Sequence, residues 1–139
     1  MIIGMGVDII ENARIKAAIK SSFSGRFIKK LFTEREVHLS NNKVSFFSGN
    51  FAAKEAFAKS LGTGFRGFMP YEVEVLRDNI GKPYIKLYGR ALEKLYGLND
   101  CFKQIGMKKC INQGICFNNI QVSITNTKDY ACAFVIIEI

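Results

Sequence analysis

Asp8, Glu55 and Lys59 are the residues whose types and spacing point to chemistry. Glu55 and Lys59 stand one turn apart in Phe51-Ala52-Ala53-Lys54-Glu55-Ala56-Phe57-Ala58-Lys59, a run of strong helix formers closed by Gly62-Thr63-Gly64. At about 100° per residue they share a face with Ala52 and Ser48, small side chains that leave room for a ligand. Two readings fit: an ordinary stabilising Glu–Lys pair on an exposed helix, or a face built for a metal and a phosphate. Asp8 falls in an opening strand, Met1 to Ile10, on the face it shares with Gly4, Gly6 and Ile10, opposite Ile3, Met5, Val7 and Ile9. Those glycines either clear space beside the carboxylate or let another element pack closely, with Asp8 capping the next helix. Magnesium is held by one or two protein carboxylates plus water and phosphate oxygens. If Asp8 and Glu55 supplied them, Lys59 could neutralise a phosphate of the same ligand. That chemistry is phosphoryl-type transfer on a polyphosphate, with the metal drawing charge from the leaving group. No P-loop or dinucleotide-binding glycine fingerprint is present, which argues against common NTPase and Rossmann folds.

The elements that must position these residues read as α+β, an antiparallel sheet packed with one long helix and shorter ones. The opening strand, which is apolar enough to be central, leads to a helix over Glu11–Lys20, with Ile15 and Ile19 inward, and another over Arg26–Phe32. Thr33-Glu34-Arg35-Glu36 is a capping box that starts a third helix, ending before Asn41-Asn42. His38 falls on that helix as a surface or half-buried residue without chemistry. The long helix runs from about Lys43 to Leu61, with Phe46, Ala53, Phe57 and Leu61 as its core stripe. Glu72–Leu76 and Pro83–Tyr88 form a hairpin in which Val73 and Val75 alternate with Glu72 and Glu74. Gly89–Tyr96 reads as a helix, and about 98–118 as an irregular insertion in one domain spanning 1–139. Ile120–Thr125 has one polar face, and Tyr130–Ile139 reads as a strand buried on both faces.

The net charge of +8 points to an anionic partner, and the excess lies early, in Arg14, Lys16, Lys20, Arg26, Lys29, Lys30 and Arg35. The four cysteines lack Cys-x-x-Cys spacing and lie far from His38, so reduced thiols are expected rather than zinc ligands. No apolar run is long enough to span a bilayer and no basic leader precedes a hydrophobic region, so a cytoplasmic protein is expected.

Ordered motifs carry a resemblance to a known family. They are Gly4-Met5-Gly6-Val7-Asp8-Ile9-Ile10-Glu11 with Arg14-Ile15, Arg26-Phe27, Phe32-Thr33-Glu34-Arg35-Glu36, the Phe51–Lys59 run with Gly62-Thr63-Gly64, Gly81-Lys82-Pro83, and Val122-Ser123-Ile124-Thr125 with Tyr130-Ala131. Together they resemble the holo-acyl-carrier-protein synthases, small bacterial phosphopantetheinyl transferases, over nearly the whole chain except about 98–118. The resemblance implies transfer of the 4′-phosphopantetheine arm of coenzyme A to a serine of apo-acyl carrier protein, releasing 3′,5′-ADP, for fatty acid synthesis. It implies Asp8 and Glu55 as ligands of Mg2+, Lys59 beside the pyrophosphate, and Glu55 or a water on the metal as acceptor of the serine proton. Arg14 and Arg26 would meet the acidic carrier protein, whose charge the basic surface steers. A homotrimer with active sites at subunit interfaces is implied too.

The chain departs from the family pattern where coenzyme A's phosphate end is bound. Asn50 stands where Arg is usual, Asn126 where His is usual, and Asn41 and Asn42 where basic residues are frequent. Neutral amides hold phosphate less strongly than charged donors do. A weaker grip on the 3′-phosphate is therefore expected from the cofactor-binding set Lys43, Asn50, Lys59, Asn126 and Thr127, unless Lys43 or Lys128 compensates. Two alternatives follow: a catalytically weakened relative that only binds carrier protein, or a basic nucleic-acid-binding module. Against the second, no nucleic-acid signature appears and the aromatics sit on apolar faces. Neither a nucleic acid nor a membrane is expected as a partner.

Overall fold

The structure, a computed structural model, describes residues 1–104 and 120–138. Strand β1 (Ile2–Glu11) leads into helices α1 (Asn12–Lys20), α2 (Ser24–Leu31), α3 (Glu34–Ser40) and the long α4 (Val44–Ser60). A 3-10 turn at Pro70–Glu72 precedes the hairpin β2 (Val73–Arg77) and β3 (Pro83–Leu87). Helix α5 (Gly89–Gln104) and strands β4 (Ile120–Asn126) and β5 (Tyr130–Glu138) complete the chain. The expected α+β architecture holds, with an antiparallel sheet ordered β1-β5-β4 and the β2–β3 hairpin as a second sheet.

Local chemistry sets the boundaries. The Thr33 hydroxyl accepts from the Glu36 amide at 3.2 Å, and the Glu36 carboxylate accepts from the Thr33 amide at 2.9 Å, so the capping box forms as expected. Asn41 and Asn42 follow α3 in left-handed conformations, which Asn tolerates better than most residues. Gly62 has φ +74°, and the Gly64 amide closes the end of α4 by donating to the Ala58 carbonyl at 3.1 Å.

Register decides which residues face α4. Asp8 pairs with Ala133, and Ala133 with Ile124, so all three lie in one row across the sheet. Gly6, Val135 and Val122 form the next row, with Val135 and Val122 buried against α4. The opposite face is open. Strand β5 is therefore not buried on both faces: Ala131, Ala133, Val135 and Ile137 are buried, whereas Tyr130 and Phe134 are exposed. Nor is β1 central within this chain; β5 holds the middle, and Met5, Val7 and Ile9 of β1 extend the exposed apolar face.

The anticipated core stripe of α4 is too narrow. Sheet strands pack on one side and α3 with β2 on the other, so Phe47, Ala52, Ala53, Ala56, Phe57 and Ala58 are all buried while Phe46 is half-buried. A helix covered on two opposite sides shows no single apolar stripe. Glu74 also departs from the alternating pattern. It points inward, accepting from the Thr33 hydroxyl at 2.7 Å and the Tyr88 hydroxyl at 2.8 Å, bonds that offset its burial. Helix α5 continues to Gln104, so the start of the stretch read as irregular at 98–118 is helical; the rest lies outside the described residues, as do Cys110 and Cys116. His38 is exposed, and Cys132 is a free, partly covered thiol.

Candidate active site

The glycines of β1 do not clear space for a ligand; they admit the backbone of α4. A Cβ at Gly4 would overlap the Ser60 carbonyl oxygen, and one at Gly6 the Ala56 carbonyl oxygen. This close approach brings Asp8 to Lys59: Nζ donates to Oδ1 at 2.8 Å and to the Val7 carbonyl at 3.1 Å. Asp8 therefore does not cap α1, whose N-cap residue Glu11 makes no side-chain capping bond. The simple helical pair is also displaced, because among the described residues Lys59 forms its ion pair with Asp8 rather than Glu55. The Lys59 side chain is 53% exposed and that of Asp8 16%, so the pair opens to solvent on the lysine side.

Glu55 is half-buried beside them. Burial pushes its carboxyl above the usual carboxylate range, the negative charge of Asp8 pushes it further, and Lys59 opposes both. The hydrogen bond to Asp8 raises Lys59. Both carboxylates line a recess of about 340 Å³ between β1, α1, α2 and α4, together with Arg14, Ile15, Phe27 and Phe51. Arg26 is exposed on α2, one residue before Phe27, and does not line the recess. Two neighbouring carboxylates, one with raised proton affinity, form a hard-oxygen donor set that suits magnesium. No cluster of three or more candidate metal ligands occurs among the described residues.

The other residues expected at the phosphate end of coenzyme A lie on α4 and its N-cap, at the end of β4 and in the β4–β5 turn. Asn50 points about 140° around the helix from Glu55 and is 0% exposed. Its Nδ2 donates to Glu36 Oε1 at 3.0 Å and to the Val75 carbonyl at 2.8 Å, and its Oδ1 accepts from Arg77 Nη2 at 2.9 Å. Direct contact between Asn50 and a ligand, expected from its position, is thus not available in this arrangement. Lys43 is exposed at the start of α4. Asn126 is exposed and lies against Gly49, where a Cβ would stand 3.4 Å from its Nδ2. The Thr127 hydroxyl accepts from the Tyr130 amide at 3.0 Å and shapes the β4–β5 turn.

The family model of the 4′-phosphopantetheinyl transferase superfamily matches residues 4–135. This chain belongs to that superfamily. It is 41% identical to a holo-acyl-carrier-protein synthase of Lachnoclostridium phytofermentans, over 100% of this chain and 98% of that protein. The crystal structure of the holo-acyl-carrier-protein synthase of Neisseria meningitidis superposes with a TM-score of 0.74, at 31% identity and covering 100% of both chains. That of Bacillus anthracis, in complex with CoA (3′,5′-ADP), gives a TM-score of 0.71 at 27% identity, covering 99% of this chain and 97% of that one.

In this transferase the sequence reading missed a buried polar network behind the site. Glu36 accepts from Lys54 Nζ at 2.7 Å, from Asn50, and from the Val75 amide at 3.2 Å, with both charged side chains fully buried. Burial holds the Lys54 ammonium below the usual lysine range, and the Glu36 carboxylate opposes that shift. The capping box was the available signal for Glu36. Lys54, inside an alanine-rich run, differs in no local way from the exposed Lys59.

Proposed function

We propose that this transferase moves the 4′-phosphopantetheine arm of coenzyme A onto a serine hydroxyl of an apo-acyl carrier protein, releasing 3′,5′-ADP, in the cytoplasm and for fatty acid synthesis. Asp8 and Glu55 lining one recess, with Lys59 bonded to Asp8, carry this reading. The similarity to holo-acyl-carrier-protein synthases, one of them in complex with CoA (3′,5′-ADP), supplies the substrates.

The serine oxygen attacks the phosphorus that bears the pantetheine arm, and the bond to the oxygen of departing 3′,5′-ADP breaks. Asp8 and Glu55 would hold Mg2+, which when bound offsets the negative charge gathering on the pyrophosphate. Lys59 is the chain's own cation for that charge, released from Asp8 as the ligand enters. Glu55, half-buried in the recess wall, would accept the serine proton. Arg14, in the recess wall, and Arg26, exposed beside it, face the acidic carrier. Lys43, Asn126 and Thr127 serve the phosphate end of the nucleotide.

The resemblance to holo-acyl-carrier-protein synthases also implies sites built between chains. The open apolar face of Met5, Val7, Ile9 and Phe134 gives such chains a surface on which to associate. We therefore read the enzyme as a homotrimer with sites between subunits. Among the described residues, no helix is long and apolar enough to cross a membrane.

Incubation with coenzyme A, magnesium and an apo-carrier protein tests the proposal. The carrier should gain the mass of the arm, and 3′,5′-ADP should appear in equal amount. Binding of the carrier without mass gain would favour a lapsed relative, and salt-sensitive nucleic-acid binding alone would favour a basic binding module.

A further inference from the structure

We infer that Arg77 is the cation with which this transferase grips the 3′-phosphate of coenzyme A, and that Asn50 is the residue that positions it. The inference rests on the coenzyme A reading above and explains how the chain manages without Arg at position 50. Position 50 and Arg77 are joined directly, Nη2 to Oδ1 at 2.9 Å, so the guanidinium stands at the end of the Asn50 side chain. Asn50, on the face of α4 turned to β2, holds a guanidinium that the end of β2 supplies at the place where position 50 would otherwise carry one. The charge has moved to the neighbouring element.

Arg77 is held ready for that task. Nη1 donates to the Leu76 carbonyl at 3.0 Å, and the guanidinium lies 5.3 Å from the centre of the Phe46 ring. These contacts fix its plane while using two of its donors; among the described residues the other three N–H donors have no partner. Glu36 lies close enough to favour the Arg77 charge but does not bond to it, accepting instead from Thr33, Lys54, Asn50 and Val75. Arg77 is only partly buried, so a ligand can reach it. Asn126, against the residue next to Asn50, offers a neutral donor nearby. Lys43 and Lys128, the substitutes that sequence suggests, are exposed, and a flexible ammonium lacks the planar fork that suits phosphate.

The test compares coenzyme A with 3′-dephospho-coenzyme A, by calorimetric binding and by KM, in wild type and three variants. Arg77→Asn should weaken coenzyme A roughly tenfold, the loss of one charge-assisted contact, and leave 3′-dephospho-coenzyme A unchanged. Arg77→Lys should fall between. Exchange of the pair, Asn50→Arg/Arg77→Asn, keeps total volume and charge and should restore the preference for the 3′-phosphate. Equal loss for both ligands in a folded Arg77→Asn protein, or no loss for either, would overturn the inference. A wild type that transfers the arm yet binds both ligands equally would also overturn it while leaving the transferase reading intact. A wild type that binds neither ligand defeats that reading itself, and this inference with it.

Discussion

Lys59 and Asp8 meet where α4 crosses β1, at 2.8 Å from Nζ to Oδ1, and the same ammonium also holds the carbonyl of Val7. The lysine is thereby kept beside the carboxylate in a partly solvated setting. An exposed pair of this kind contributes at most about 1 kcal/mol to stability, whereas a cation at a departing pyrophosphate contributes much more to the barrier. Lys59→Ala should therefore lower kcat by about a hundredfold or more while shifting Tm by only a few degrees. Single-turnover transfer and thermal unfolding of the same preparation check both halves.

Glu55 should trade stability for activity. Its folded-state proton affinity is raised, by burial first and by Asp8 second. Such a carboxyl adds stability at acid pH, fully below the unfolded value of about 4.5, and that contribution is lost as pH rises through the folded value. Near neutrality the ionised group is thus a burden on the metal-free protein. Glu55→Gln should raise Tm at pH 7 by a few degrees, lose that advantage on acidification, and abolish transfer. Thermal unfolding as a function of pH, without magnesium, measures it.

Gly6 is needed for the site because it lets α4 approach. Gly6→Ala drives a Cβ into the Ala56 carbonyl, so α4 must move away from β1. We expect a loss of about 1–3 kcal/mol, typical of overpacking, and a fall in kcat as Asp8 and Glu55 separate. Gly25→Ala, where nothing lies within 4 Å of the added atom, should do neither. Urea denaturation with parallel kinetics separates the two variants.

The network behind the site should respond unequally to removal of its members. Glu36→Ala leaves the Val75 amide without its acceptor and the buried Lys54 ammonium without its counter-charge, with only the Pro70 carbonyl to hold it, and should cost about 3–5 kcal/mol. Lys54→Met removes one donor from a carboxylate that keeps three others, and should cost clearly less. Urea midpoints rank the two.

Most of the helices and both hairpins were legible because capping boxes, glycine stops and two-residue alternation are local signals. Asp8, Glu55 and Lys59 were legible as a set only through the ordered motifs that surround them. The partner of Lys59 was not, since it depends on α4 passing over two glycines far away in sequence. The surroundings of Asn50 were illegible for the same reason. Its amide is claimed by Glu36, Val75 and Arg77, which come from α3 and β2, and no pattern within its own helix announces them. The open face of β5 was missed because an apolar strand buried on both sides and one exposed on one side have the same composition.

The most direct test of the site is the intact mass of an apo-carrier protein incubated with coenzyme A and either wild type or Asp8→Asn across a magnesium titration. The wild type should add the arm only when magnesium is supplied, and stop when a chelator removes it. Asp8→Asn, with an unfolding temperature near that of wild type, should leave the carrier's mass unchanged. Equal conversion by Asp8→Asn, or full conversion by the wild type without magnesium, would contradict the account.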